Sequence, residues 1–159
     1  AWRHLADRNF VRELTASVPA MLLQPKSLKL KLTESATRME NLRVQQVLLE
    51  IEACGLGFAI GDAGTLKASR GALSQIPFDT VVLDSSSVEA ARHSGSANVL
   101  NAGIALARER NAFTIGEGIE SANDAILLRT AGCDFGSGIL FGMPLLGPEV
   151  DGYLFTHRV

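Results

Sequence analysis

The chain has 159 residues, 47% of them hydrophobic and 20% charged, and 15 basic against 17 acidic residues leave a formal net charge of −2. That balance excludes a disordered chain, which needs low hydrophobicity and high net charge, and a sequence-blind nucleic-acid binder, which needs a basic excess. Fifteen Gly and five Pro without a repeat exclude collagen-like and low-complexity classes, and a chain this long suits one domain that buries roughly 70% of its unfolded surface.

A first helix is expected over residues 9–23. Residues 28–32 (Leu-Lys-Leu-Lys-Leu) alternate with period two, as a half-buried strand does. Residues 36–54 place Met39, Leu42, Val44, Val47, Leu48 and Ile51 on a helical stripe, and Gly55 stands where a helix C′ residue belongs. Residues 58–60 are a short apolar run ending in Gly61-Asp62. Residues 80–83 (Thr-Val-Val-Leu) are β-branched and apolar and end in Asp84. Residues 97–110 are Ala-rich, with Leu100, Ile104 and Ala107 on one face. Residues 113–115 end in Gly116-Glu117. Ser121 then opens a helix with Asp124 as its capping-box partner, and Gly132 closes it. Residues 135–141 are the last strand expected, and Gly147-Pro148 opens a final helix.

Strands alternating with helices predict an α/β fold with a parallel sheet and right-handed crossovers. Asp62, Asp84 and Glu117 fall at the C-terminal ends of strands, the edge where α/β folds bind ligands. A complete eight-stranded barrel needs roughly 250 residues. Five strands here therefore make an open sheet or the later part of a barrel. The chain opens on Ala rather than Met, the start expected of a piece cut from something longer. Cys54 and Cys133 form neither a disulfide framework nor a zinc quartet, and a reduced, cytoplasmic setting is the default. No stretch has the ~18 uninterrupted apolar residues of a membrane helix.

Gly55-Leu56-Gly57 precedes its strand and meets Ile60 where a third Gly is needed, so it is no dinucleotide fingerprint. No Walker A sequence is present. The run Gly61-Asp62-Ala63-Gly64-Thr65 can bring backbone close to a ligand, although an ordinary βα turn explains it as well. Glu34, Asp62, Asp84, Glu117 and Glu120 are the candidate acids. Carboxylates converging from strand ends can hold divalent cations, and two cations about 4 Å apart suit phosphodiester hydrolysis. Each acid alone is better read as a helix cap or a surface ion-pair partner. Lys29 and Lys31 share one face of their strand, opposite Leu28, Leu30 and Leu32. If that face is a barrel interior, the lysines need acidic partners; otherwise they are solvated edge charges. His4, His93 and His157 have no ligand or triad spacing. The seven serines between Ser69 and Ser96 are read as turn residues without a nucleophile elbow. Trp2 and Tyr153 make no stacking platform.

In order and spacing these segments resemble the C-terminal two-thirds of the EAL domain, the bacterial cyclic di-GMP phosphodiesterase family. The matching stretches are Leu28-Lys-Leu-Lys-Leu-Thr-Glu-Ser35, Gly61-Asp-Ala-Gly-Thr65, Ile76-Pro-Phe-Asp-Thr-Val-Val-Leu-Asp84, Glu117-Gly-Ile-Glu-Ser121 and Gly132-Cys-Asp-Phe-Gly-Ser-Gly-Ile-Leu-Phe-Gly-Met-Pro144. Asp7-Arg-Asn-Phe-Val-Arg-Glu-Leu14 resembles the helix before the first matched strand. The resemblance implies a modified TIM-like barrel, here incomplete, with about five parallel strands in a single degenerate unit over 1–159. The Glu-Ala-Leu signature and the first strands are absent from this chain.

The resemblance also assigns roles. Glu117 matches the general base and Glu34 the glutamate that steadies the loop after the family's fifth strand. Asp62, Asp84, Glu117, Glu120 and Ser137 fall at ligand-binding positions. Four positions depart from the family. Lys31 replaces a metal-binding Glu, Gly61 a metal-bridging Asp, Val82 the catalytic Lys and Ser137 a Gln. The loop at 65–69 has also changed. A metal pair needs carboxylates to offset its charge, so no metal cofactor is expected, and Lys31 is expected as a surrogate cation paired with Asp62, Asp84 or Glu117. The resulting expectation is a catalytically inactive regulatory domain in cyclic di-GMP signalling, acting as a protein-interaction module or as a cyclic di-GMP receptor. The alternative is a residual phosphodiesterase producing pGpG, with Mg or Mn held by ligands from outside this chain. Expected partners are cyclic di-GMP, upstream domains or a protein, with a homodimer allowed. Neither a nucleic-acid polymer nor a membrane span is expected.

Overall fold

The structure, a computed structural model, describes residues 5, 7–33, 42–61, 73, 76–94 and 97–156. Glu34, Asp62, His4, His157 and Trp2 lie outside the described residues. The first helix, α1 (Arg8–Ala20), is capped by Asp7, whose carboxylate accepts from the Asn9 amide at 2.9 Å. It ends three residues earlier than the sequence suggests, and just beyond it Leu22 takes a left-handed φ of 52°. Strand β1 (Lys29–Leu32) follows, then α2 (Leu42–Ala53) and β2 (Gly57–Ile60). Strand β3 (Thr80–Leu83) leads into two helices, α3 (Ser85–Ser94) and α4 (Asn98–Glu109), before β4 (Phe113–Gly116). Helix α5 (Ala122–Ala131), β5 (Phe135–Gly136) and α6 (Gly147–Thr156) complete the described elements.

The five strands form one all-parallel sheet in the order β1-β2-β3-β4-β5. Register pairs Lys31 with Ala59, Ile60 with Val81, and Leu83 with Gly116. Each strand therefore delivers its C-terminal end to the same edge. Period two sets the faces. Phe58, Ile60, Val81 and Leu83 are all buried and join Leu48, Ile51, Leu100, Ile104 and Leu128 from the helices in one core cluster. On β2 the opposite face carries only Gly57 and Ala59, with Gly61 one step beyond the strand. Among the described residues no helix is long and apolar enough to cross a membrane.

Two expectations are corrected. The last strand is not seven residues long but two, Phe135–Gly136. Gly138 lies so close to the Ile119 backbone that a Cβ there would overlap its N, C and O atoms, and Phe141 turns back to donate to the Gly138 carbonyl. The chain leaves the sheet to pack under the loop after β4. Second, Ser85, Ser86 and Ser87 are not turn residues. They begin α3, and His93 sits in its last turn.

Candidate functional site

The sheet edge that carries the site is built from the ends of β1, β2, β3 and β4. Lys31 projects from β1, and its Nζ donates to Glu117 Oε2 at 2.6 Å. Glu117 follows β4, where its amide donates to the Leu83 carbonyl. The two side chains are 39% and 40% exposed, so the pair faces solvent on one side. Three strand steps separate β1 from β4, about 14 Å across a flat sheet at 4.7–4.9 Å per strand, and register sets Lys31 level with Phe113, four residues before Glu117. The ion pair closes only because the sheet curls, with both residues on its concave face.

Lys29 repeats the device one turn of the pleat earlier. Its Nζ lies 2.6 Å from Asp79 Oδ1, ahead of β3, and Thr80 Oγ1 donates to the same oxygen at 2.8 Å. Both lysines are thus paired with acids across the concave face, while Lys31 stays 39% exposed on an edge strand of the described sheet. Glycines admit them. A Cβ on Gly57 would lie 3.1 Å from Lys29 Cγ, and one on Gly61 would lie 2.6 Å from Lys31 Cε. Asp79 is a partner the sequence reasoning missed. Its one signal was its place directly before a β-branched run, two strands from the lysine it serves.

The other predicted site residues scatter. Asp84 sits at the same sheet edge, but its Oδ1 accepts from Ser86 Oγ at 2.6 Å and from the Ser87 amide at 2.8 Å, the geometry of a helix cap on α3. Ser137 is held through its backbone, donating to Gly116 and accepting from the Ile119 amide. Glu120 lines a different, polar cleft of about 160 Å³ between α3 and α5, together with Ser85, Arg92, Gly118 and Asp124. Val82 is 3% exposed within β3. The structure brings Lys31 to Glu117. Glu34 and Asp62 lie outside the described residues.

Asp124 is the most buried acid described, 1% exposed. It completes the capping box foreseen in the sequence. Its Oδ2 accepts from Ser121 Oγ at 2.8 Å and from the Ser121 and Glu120 amides, and Ser121 Oγ accepts from the Asp124 amide. Arg92 of α3 stands 3.5 Å from Oδ1. The Ser121 hydroxyl, the two amides and Arg92 hold the carboxyl below its ordinary pKa, against the opposing effect of burial.

Among the described residues no group of three or more His, Cys, Asp or Glu is arranged to hold a metal ion. What the edge offers is one short ammonium–carboxylate pair, open to solvent, beside a capped aspartate.

Comparison with known proteins gives a consistent result. A family model described as EAL domain matches residues 1–144. A cyclic di-GMP phosphodiesterase of Pseudomonas aeruginosa is 29% identical over 151 residues, covering 94% of this chain and 26% of its own length. The structure resembles the PaMucR phosphodiesterase in complex with c-di-GMP, with a TM-score of 0.82 and 26% identity, over 92% of this chain and 60% of that one. It resembles the EAL domain of Mycobacterium smegmatis DcpA at a TM-score of 0.81 and 29% identity, over 96% of this chain and 69% of that one. The chain thus spans about a quarter of that curated relative.

Proposed function

The chain belongs to the EAL domain family, and from that premise we propose that it is a catalytically silent module of cyclic di-GMP signalling, serving as a protein-interaction module or as a receptor for the dinucleotide. The observation that carries the proposal is the partner of Glu117. A general base must have its carboxylate free to accept a proton from the attacking water. Here that carboxylate is engaged by the Lys31 ammonium at 2.6 Å. Val82, buried within β3, stands at the position for which the family resemblance implies a catalytic lysine, and a valine can neither donate a proton nor stabilise charge.

The phosphodiesterase relative and the c-di-GMP in the MucR complex support a dinucleotide as the ligand class. Between the two modes of action, interaction is favoured, because Lys31, Gly61 and Val82 replace metal-binding and catalytic residues that the family resemblance implies, and Ser137 replaces a ligand-binding one. The test is a chromatographic assay of cyclic di-GMP turnover by the full chain with Mg²⁺ and then Mn²⁺. The expected result is no pGpG above the protein-free control. Metal-dependent production of pGpG that Glu117→Gln abolishes would overturn the proposal and establish a residual phosphodiesterase.

A further inference from the structure

We infer that Lys31 is the built-in cation of this site and that Gly61 leaves room for the end of its side chain, so that the Glu117 charge is balanced without a divalent metal ion. This rests on the functional reading above and deepens it by naming the cation. The first observation is the distance. Lys31 Nζ stands 2.6 Å from Glu117 Oε2. A hard divalent ion binds carboxylate oxygen at roughly 2.0–2.6 Å. An ion bound to that oxygen would therefore sit against the ammonium, a doubly charged cation beside a singly charged one.

The second observation is the fit of the lysine stem. A Cβ at position 61 would stand 2.6 Å from Lys31 Cε, far inside the roughly 3.5–4.0 Å at which carbons rest in contact. Lys29 is housed in the same way beside Gly57. Gly57, Ala59 and Gly61 share one face of β2 by period two, so that face is a smooth track along which both lysine stems lie. The third is the donor set. Asp84 accepts two hydrogen bonds at the start of α3, and the described residues hold no three-ligand cluster.

The metal that the family resemblance implies therefore does not fit these residues. Nor does one reversion make it fit. A side chain at 61 must push the end of the Lys31 side chain aside, and a carboxylate there would pair with the ammonium before any metal, whereas a carboxylate at 31 still faces a glycine.

The test is titration of the full chain with Mn²⁺ alone, read by the electron paramagnetic resonance signal of the free ion, with circular dichroism to verify folding. The wild type is expected to leave the free-ion signal unchanged. Lys31→Glu combined with Gly61→Asp is expected to bind Mn²⁺ at least about tenfold more tightly. If that pair fails to fold, the wild type decides with Glu117→Gln as its control: depletion of free Mn²⁺ by the wild type that Glu117→Gln removes would overturn the inference. Wild-type binding as tight as that of the double variant would likewise overturn it. Such binding without turnover would leave the functional reading standing, whereas metal-dependent turnover would remove both.

Discussion

At the scale of single residues, burial decides what each charge does. Lys31 and Glu117 are both more than a third exposed, so their pair is screened and contributes modestly to stability. Its consequence is positional, since it holds a carboxylate engaged. Asp124 is the opposite case, a buried carboxylate whose Oδ2 is held by the start of α5 and whose Oδ1 faces Arg92 without a hydrogen bond. Its pKa is depressed in the fold. The unfolded chain titrates this group near an ordinary value of about 3.9. The stability Asp124 contributes is therefore fully present above that value and is lost as the pH falls through the depressed native one. Urea midpoints measured from pH 6 downward are expected to fall in the acid range, and Asp124→Asn is expected to flatten that fall. The same substitution at neutral pH is expected to cost about 1–2 kcal/mol, because the buried cap and the charge facing Arg92 are both weakened.

At the scale of elements, close approach governs where strands stop. Gly138 touches the Ile119 backbone, so Gly138→Ala must displace either the loop after β4 or the exit from β5. The expected cost is about 1–3 kcal/mol, the range for overpacking, read as a lowered urea midpoint with an unchanged slope. Asp134 holds the other end of β5. Its Oδ2 accepts from the Thr114 amide at 2.8 Å and the Thr114 hydroxyl at 2.7 Å, and its own amide donates to Thr114 Oγ1. Asp134→Ala is expected to cost about 1–3 kcal/mol by orphaning buried Thr114 groups. Hydrogen exchange at the Thr114 amide is expected to accelerate more than at Val81 in β3.

The sequence made most of these elements legible. Strands at 28–32, 58–60, 80–83 and 113–115 lie within a residue of their observed ends, the first because it alternates with period two and the others because Gly or Asp ends their apolar runs. The Ser121 cap and the Gly132 stop of α5 were both foreseen, and Gly132 takes the left-handed φ of 92° that suits glycine. The misses share a cause. Phe135, Ile139, Leu140 and Phe141 read as a strand by hydropathy, yet the glycines among them carry the chain out of the sheet. The triple serine read as a turn, yet Asp84 caps it into a helix. At the site, the need of Lys31 for an acid was legible, but its choice of Glu117 was not. A pairing 86 residues apart depends on curl, which no local pattern encodes.

At the scale of the molecule, the described strands form a curved sheet segment, in which β1 and β5 each pair with one described neighbour. Phe113 and Phe135 meet edge to face with ring centroids 5.7 Å apart, yet each is 57% exposed. Helix α6 buries no side chain, and Leu154 and Phe155 are 57% and 77% exposed. Across this segment Lys29–Asp79 and Lys31–Glu117 act as chords that hold the curl. Both chords involve partly exposed groups, so raising the salt concentration is expected to weaken them. The Lys31–Glu117 chord matters most for function, because it engages the carboxylate for which the family resemblance implies a general base. Its most direct test is a double-mutant cycle in urea with Lys31→Met, Glu117→Gln and the combined variant. The account predicts a favourable coupling of about 0.5–1 kcal/mol, the upper part of the range for screened pairs, that shrinks in high salt. A coupling of zero at low salt would mean that Glu117 is not held by Lys31 in solution and would contradict the account.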